Sequence, residues 1–95
     1  MSTKIQLAHP AGKKAIRMEQ PKYELIATSI LHFLSEKKQA THIELLAAVE
    51  TDFQQRKVEF EGSIGWHTEW VKLDLEAKGK ILRKQTEAPQ LYILA

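Results

Sequence analysis

Cysteine is absent from the 95 residues, which removes a disulfide framework, a thiolate zinc site and a cysteine nucleophile. Nowhere do apolar residues run together for the roughly 18 positions that a membrane span needs. The opening MSTKIQLAHPAGKK also holds no apolar stretch long enough for a signal-peptide core. The expectation is a cytoplasmic protein with no membrane partner. Catalytic patterns are missing too. His9, His32, His42 and His67 have no H-E-x-x-H spacing, HPAGKK lacks the glycines and hydroxyl of a phosphate loop, and no serine sits in a G-x-S-x-G elbow. His67 and Glu69, two apart on a helix, do not face one another and would need metal ligands from elsewhere. With no nucleophile, base and orienter to nominate together, the expectation is a non-enzyme without metal or cofactor.

What is present suffices for one modest core: 43% of residues are apolar, and 95 residues leave no room for a second domain. The net charge of +2 hides a segregation of sign. Residues 1–22 carry five cations and one acid, residues 23–77 five cations against ten acids, and residues 78–95 four cations and one acid. The middle is acidic and both ends are basic, so any nucleic-acid footprint must lie on the ends.

Periodicity divides the chain into an arm over 1–20 and a folded unit over 21–95. The arm alternates at Ile5 and Leu7, then turns at Pro10 and Gly12, which predicts an extended segment. From Pro21, the residues Tyr23, Ile26, Ala27, Ile30, Phe33 and Leu34 recur at helical spacing to about Lys37. Thr41 and Glu44 have the spacing of a capping box and open a second helix, whose inward face runs Leu45, Leu46, Val49 and Phe53 to about Gln54. RKVEFEGSIG predicts a short extended piece at Val58 and Phe60 before a turn. A third helix follows over roughly 64–78, closed by Gly79. KILRKQTEAPQLYILA predicts two strands, Ile81 to Gln85 and Gln90 to Leu94, with Thr86 to Pro89 at the hairpin tip.

Arm, three helices and a terminal hairpin make an α+β, mainly α chain in the order of a winged helix-turn-helix. VKLDLEAKGKI resembles the closing signature of winged-helix domains, and Trp70 with Leu75 and Gly79 is similar to the amino-terminal winged-helix domain of Mrr-type restriction proteins. HPAGKK, KYELI and SIGWHTEWVKLDLEAKGKI together resemble a family of small bacterial proteins of unknown function over most of the chain. The resemblance implies a winged-helix fold and leaves the role open.

On a wheel of about 100° per residue, Trp66, Trp70, Leu73 and Ala77 form one narrow stripe of the third helix, and Ile64, Val71 and Leu75 form another almost opposite. One core cannot receive both. By resemblance to winged helices, the Leu75 stripe packs inward, leaving the tryptophans near the face that such folds present to the major groove. Indoles and leucine cannot read base edges by hydrogen bonding, and Glu69, Asp74 and Glu76 would repel phosphates, offset only by His67, Thr68 and Lys72. The arm around Ile5 to Met18 is expected to fold over this stripe, unless a second copy or partner protein covers Trp66, Trp70 and Leu73.

Two functions of different classes follow. In one, the domain holds duplex DNA weakly through its ends, with Lys13, Lys14 and Arg17 of the arm and Lys78, Lys80, Arg83 and Lys84 of the wing on phosphates. In the other, the winged-helix scaffold is a homodimerisation or protein-interaction module without DNA binding.

Overall fold

The computed structural model describes residues 3–84 and 90–95. Along the chain run β1 (Lys4–Gln6), β2 (Arg17–Glu19), α1 (Gln20–Lys37), α2 (His42–Gln55), α3 (Ile64–Ala77), β3 (Ile81–Lys84) and β4 (Leu91–Leu94). Three helices and two small antiparallel strand pairs give the mainly helical α+β fold that the periodicity predicts, in winged-helix order. The expected hairpin tip at 86–89, and Gln85 at the end of the first wing strand, lie outside the described residues.

Each helix starts where local chemistry satisfies its first free N–H groups. At α2 the Thr41 hydroxyl accepts the Glu44 N–H at 3.2 Å while the Glu44 carboxylate accepts the Thr41 N–H at 2.9 Å, completing the capping box. At α3 the Ser63 hydroxyl accepts the Trp66 N–H at 3.1 Å. Pro21 occupies the first turn of α1, where its missing N–H costs nothing. Gly79, at φ +72°, ends α3 in a left-handed turn, and the next N–H, of Lys80, reaches back to the Leu75 carbonyl at 2.9 Å.

The wing pairs Leu82 with Ile93 and Arg83 with Tyr92. A third rung comes from the α1–α2 connection: Ala40 donates to the Tyr92 carbonyl at 3.1 Å and Tyr92 donates to that of Ala40 at 2.8 Å. One bridging residue is too short to show a period of two, so this link was invisible in the sequence.

Val71 and Leu75 of α3 join Ile26, Ile30 and Leu34 of α1, Leu45, Val49 and Phe53 of α2, and Ile81 and Tyr92 of the wing in one core. The Leu75 stripe therefore faces inward. Two expectations become more specific. The arm is a paired hairpin, with Ile5 opposite Met18 and the Leu7 N–H bonded to the Ile16 carbonyl at 3.0 Å, and it sends Leu7 and Met18 into the core. Strands of three residues lie below what alternation can reveal. The short piece at 58–60 leads into the turn before α3; it is pinned by the Val58 N–H on the Phe53 carbonyl at 2.8 Å and by Phe60, tilted against the Phe53 ring and edge-on to His67.

Candidate functional site

The outer side of the α2–α3 pair is built around a close crossing. His42 of α2 lies 3.4 Å from Glu69 of α3, and Gly65 faces Leu46, so that a Cβ at Gly65 would sit 3.8 Å from the leucine Cδ2. Ile43 and Trp66 each follow a crossing residue by one position. On a helix that is a turn of about 100°, and on both helices it is away from the core. Ile43 is accordingly 77% exposed and Trp66 49% exposed, while Trp70 and Leu73 beside them are half-buried. The outward positions of this face carry Glu50 and Glu69 and no lysine or arginine.

The polar residues expected to offset those acids do not face outward. Thr68 is fully buried, and Lys72 is 4% exposed. His67 is folded back, its Nδ1 2.7 Å from the Ser63 carbonyl, which places the proton on Nδ1, and its ring edge-on to Phe60 and Trp66. Two of the expected acids are also engaged. Asp74 is fully buried, where it accepts hydrogen bonds from the Tyr23 hydroxyl at 2.5 Å and the Ala8 N–H at 2.8 Å, with the Lys78 ammonium 2.9 Å away. Glu76 pairs with Arg83 at 3.4 Å.

Those contacts divide the expected phosphate-binding set. Lys78 is held by Asp74 and lies over the Tyr23 ring, and Arg83 is held by Glu76 and by Gln90. Lys13, Lys14, Arg17, Lys80 and Lys84 are exposed and make no ion pair among the described residues. The Ala8–Asp74–Lys78 chain of contacts ties the arm to the end of α3 from which the wing departs. It gives the basic ends a common anchor.

The same contacts correct the expected cover of α3. The arm docks on the flank carrying Asp74 and leaves Trp66 in water. Iodide should therefore quench Trp66 in a dilute monomer while Trp70, packed partly against the core, resists. A Trp70→Phe variant isolates the Trp66 signal, and short-wavelength emission that iodide does not reduce in that variant would contradict the placement.

Beneath the face lies a polar cluster that the sequence did not disclose. His42 sits between Glu69 and Lys72 of α3, with its Nδ1 3.1 Å from the Lys72 ammonium, which also lies over the Tyr92 ring at 4.7 Å. Burial, then the Lys72 charge, lower the His42 pKa below its ordinary 6.5, against an opposing pull from Glu69. In the sequence the nearest acid to His42 is Glu44, and helix capping accounts for Glu44 fully. The partners of His42 lie 27 and 30 positions away, beyond any local spacing rule.

Among the described residues no helix is long and apolar enough to cross a membrane, and no group of three or more histidines and carboxylates is gathered as a metal site. Between the outer faces of α1 and α2 runs an open groove of about 680 Å³ over Phe33 and Ala48, rimmed by charges of both signs. Neither curated proteins nor solved structures give a match to the chain. A family model does, over residues 4–92, from the first strand of the arm to the last strand of the wing. The chain thus belongs to the family of unknown function DUF6958.

Proposed function

We propose that this domain is a non-catalytic protein-interaction module that self-associates through the outer face of α2 and α3. The observation that carries the reading is the character of that face: Ile43 and Trp66 stand out in water, the outward positions beside them carry Glu50 and Glu69, and Lys72, the cation paired to Glu69, is buried beneath. A helix so equipped disfavours a phosphate backbone and offers base edges none of the bidentate side chains that read them. Exposed large apolar side chains clustered on one face are instead the mark of a docking surface. Charge supports a second copy as the occupant. The face belongs to the acidic stretch, while Lys13, Lys14, Arg17, Lys80 and Lys84, exposed and in no ion pair among the described residues, belong to the basic ends of the same chain. In a two-fold arrangement each copy presents its basic ends to the acids of the other, so both halves of the segregation are answered at once.

Sedimentation velocity over a concentration series tests this reading. The wild type should dimerise, and Ile43→Ser combined with Trp66→Ala should remain monomeric with an unchanged fold. A monomeric wild type, or a variant that dimerises equally well, sinks it.

One observation favours a second reading. Lys13, Lys14, Arg17, Lys80 and Lys84 are exposed and in no ion pair among the described residues, as weak duplex binding through phosphates of a basic arm and wing requires. Titration with random duplex at two salt concentrations separates the two. The interaction module leaves the duplex unbound at about 50 mM salt, whereas a phosphate binder binds there and loses roughly one unit of log–log salt slope for each cation changed to alanine.

A further inference from the structure

We propose that His42, Lys72 and Glu69 form an acid-released clamp that fixes how α2 crosses α3, and with it the shape of the docking face. The clamp stands on geometry alone; its effect on docking rests on the self-association reading above.

Lys72 is an almost fully buried ammonium, and the groups that can stabilise it are few. They are the Glu69 carboxylate at 3.4 Å, the π-face of Tyr92 at 4.7 Å, and His42 Nδ1 at 3.1 Å. An ammonium has three donors and no lone pair, so His42 Nδ1 must be the acceptor. That fixes the tautomer: the imidazole proton sits on Nε2, which is the nitrogen facing Glu69 at 3.4 Å. Neutral His42 thus joins the two charges of α3, accepting from one and turning a donor to the other. From α3 it meets Glu69 and Lys72, and from β4 the Tyr92 ring lies across Lys72. Among the described residues no other charged group is in hydrogen-bond or ion-pair contact with it.

Protonation undoes this arrangement by chemistry rather than by distance. A second proton on the imidazole can go only to Nδ1, which destroys the acceptor for Lys72 and sets two cations 3.1 Å apart. Either His42 swings out to water or Lys72 leaves its pocket over Tyr92. Both movements act at the crossing where Ile43 follows His42 and Trp66 precedes Glu69. The direction of the pH effect follows. The folded state lowers the histidine pKa, so it favours the neutral form; the stabilisation is complete above the ordinary value of 6.5 and is lost as pH falls below it.

Two measurements on the full chain test the clamp. The first follows the His42 imidazole protons by NMR in a dilute sample. His42 should titrate below 6.5, and the Tyr92 ring and Lys72 side-chain signals should move with it. Titration of His42 at or above 6.5, or without movement of Tyr92 and Lys72, overturns the proposal. The second compares thermal unfolding of the wild type and His42→Asn, whose amide oxygen takes the place of Nδ1 as an acceptor but does not titrate. The wild type should lose several degrees more between pH 7 and pH 5 than the variant. Equal losses overturn the proposal, and if the variant does not fold, the NMR titration of the wild type decides alone. Because both readouts are intramolecular, they stand even if sedimentation finds a monomer at every pH. If the wild type does dimerise, the dimer should weaken between pH 7 and pH 5 more than that of His42→Asn; an unchanged difference confines the clamp to the fold.

Discussion

Leu75→Ala should destabilise the domain by roughly 2–5 kcal/mol, a large share of the total stability of a chain this short. Leu75 is 1% exposed and lies on the face of α3 that meets α1, α2 and the start of the wing. Truncation removes its transfer free energy and leaves a cavity that three elements cannot close together without disturbing their other contacts. The site is constrained on the backbone side as well. The Leu75 carbonyl accepts the Lys80 N–H that closes the turn into β3, so α3 cannot slide to fill the space without losing its cap. Urea unfolding measures the loss, and Ile43→Ala is the companion variant. That side chain is mostly in water, and its removal should change stability by no more than about 0.5 kcal/mol. If Leu75→Ala instead cost as little as Ile43→Ala, α3 would be rotated from the orientation described here.

That contrast shows what the sequence could deliver. Helical spacing isolated two apolar stripes on α3, but a wheel ranks residues by angle and contains no information about which side faces the rest of the chain. The choice of Val71 and Leu75 as the inward stripe came from resemblance to winged helices, and their complete burial agrees with it. The capping box of α2 and the glycine closing α3 were legible because each is a local device, complete within a few residues. The arm hairpin and the Ala40 bridge were not, because strands of three residues and one residue carry no period. Polar residues on α3 were the hardest. Thr68, Lys72 and Asp74 look like solvent positions by type; all three are buried, Lys72 and Asp74 against partners from distant segments and Thr68 with its hydroxyl unpartnered among the described residues. For Asp74 that segment is the arm, 66 positions earlier; for Lys72 it is the first turn of α2, 30 positions earlier. Buried charge is legible only once its partner is known, and pairs at such separations leave no trace in a single sequence. The same limit applies to the docking face. Trp66 was singled out by type and spacing, whereas Ile43 gained significance only when the α2–α3 crossing placed it on the same side.

Asp74→Ala should cost roughly 2–5 kcal/mol and release the arm from α3, although the residue looks from sequence like a surface acid on a helix. Its carboxylate gathers three partners from different parts of the chain: the Tyr23 hydroxyl from α1, the Ala8 N–H from the arm and the Lys78 ammonium from its own helix. Lys78 is partly exposed and regains water when the carboxylate goes, so it contributes little of the loss. The Tyr23 hydroxyl and the Ala8 N–H are in shielded positions and are left without their acceptor, which is the expensive outcome for a hydrogen bond. The arm then keeps Leu7 and Met18 in the core, Ile5, Ala15 and Ile16 packed against it, and its pairing within the hairpin. Amide exchange should accelerate at Leu7 and Ala8 well before it does in α1, and limited proteolysis should cut between residues 8 and 17. Tyr23 provides an independent readout. Burial first, then the hydrogen bond to Asp74 and its negative charge, raise the phenol well above its ordinary pKa of 10.0. A raised pKa means that the neutral phenol is favoured by folding, so this stabilisation is full below pH 10 and is lost as pH rises beyond it. In Asp74→Ala the phenolate absorbance should appear at lower pH than in the wild type, yet still above the ordinary value, because the packing of Tyr23 against the core remains after the carboxylate is gone. Asp74→Asn keeps the shape and one acceptor oxygen, and should fall between the two in stability and in arm protection. If Asp74→Ala costs less than about 1 kcal/mol and leaves the exchange of Leu7 and Ala8 unchanged, the arm is held by its apolar contacts, and the anchor assigned to Asp74 is wrong.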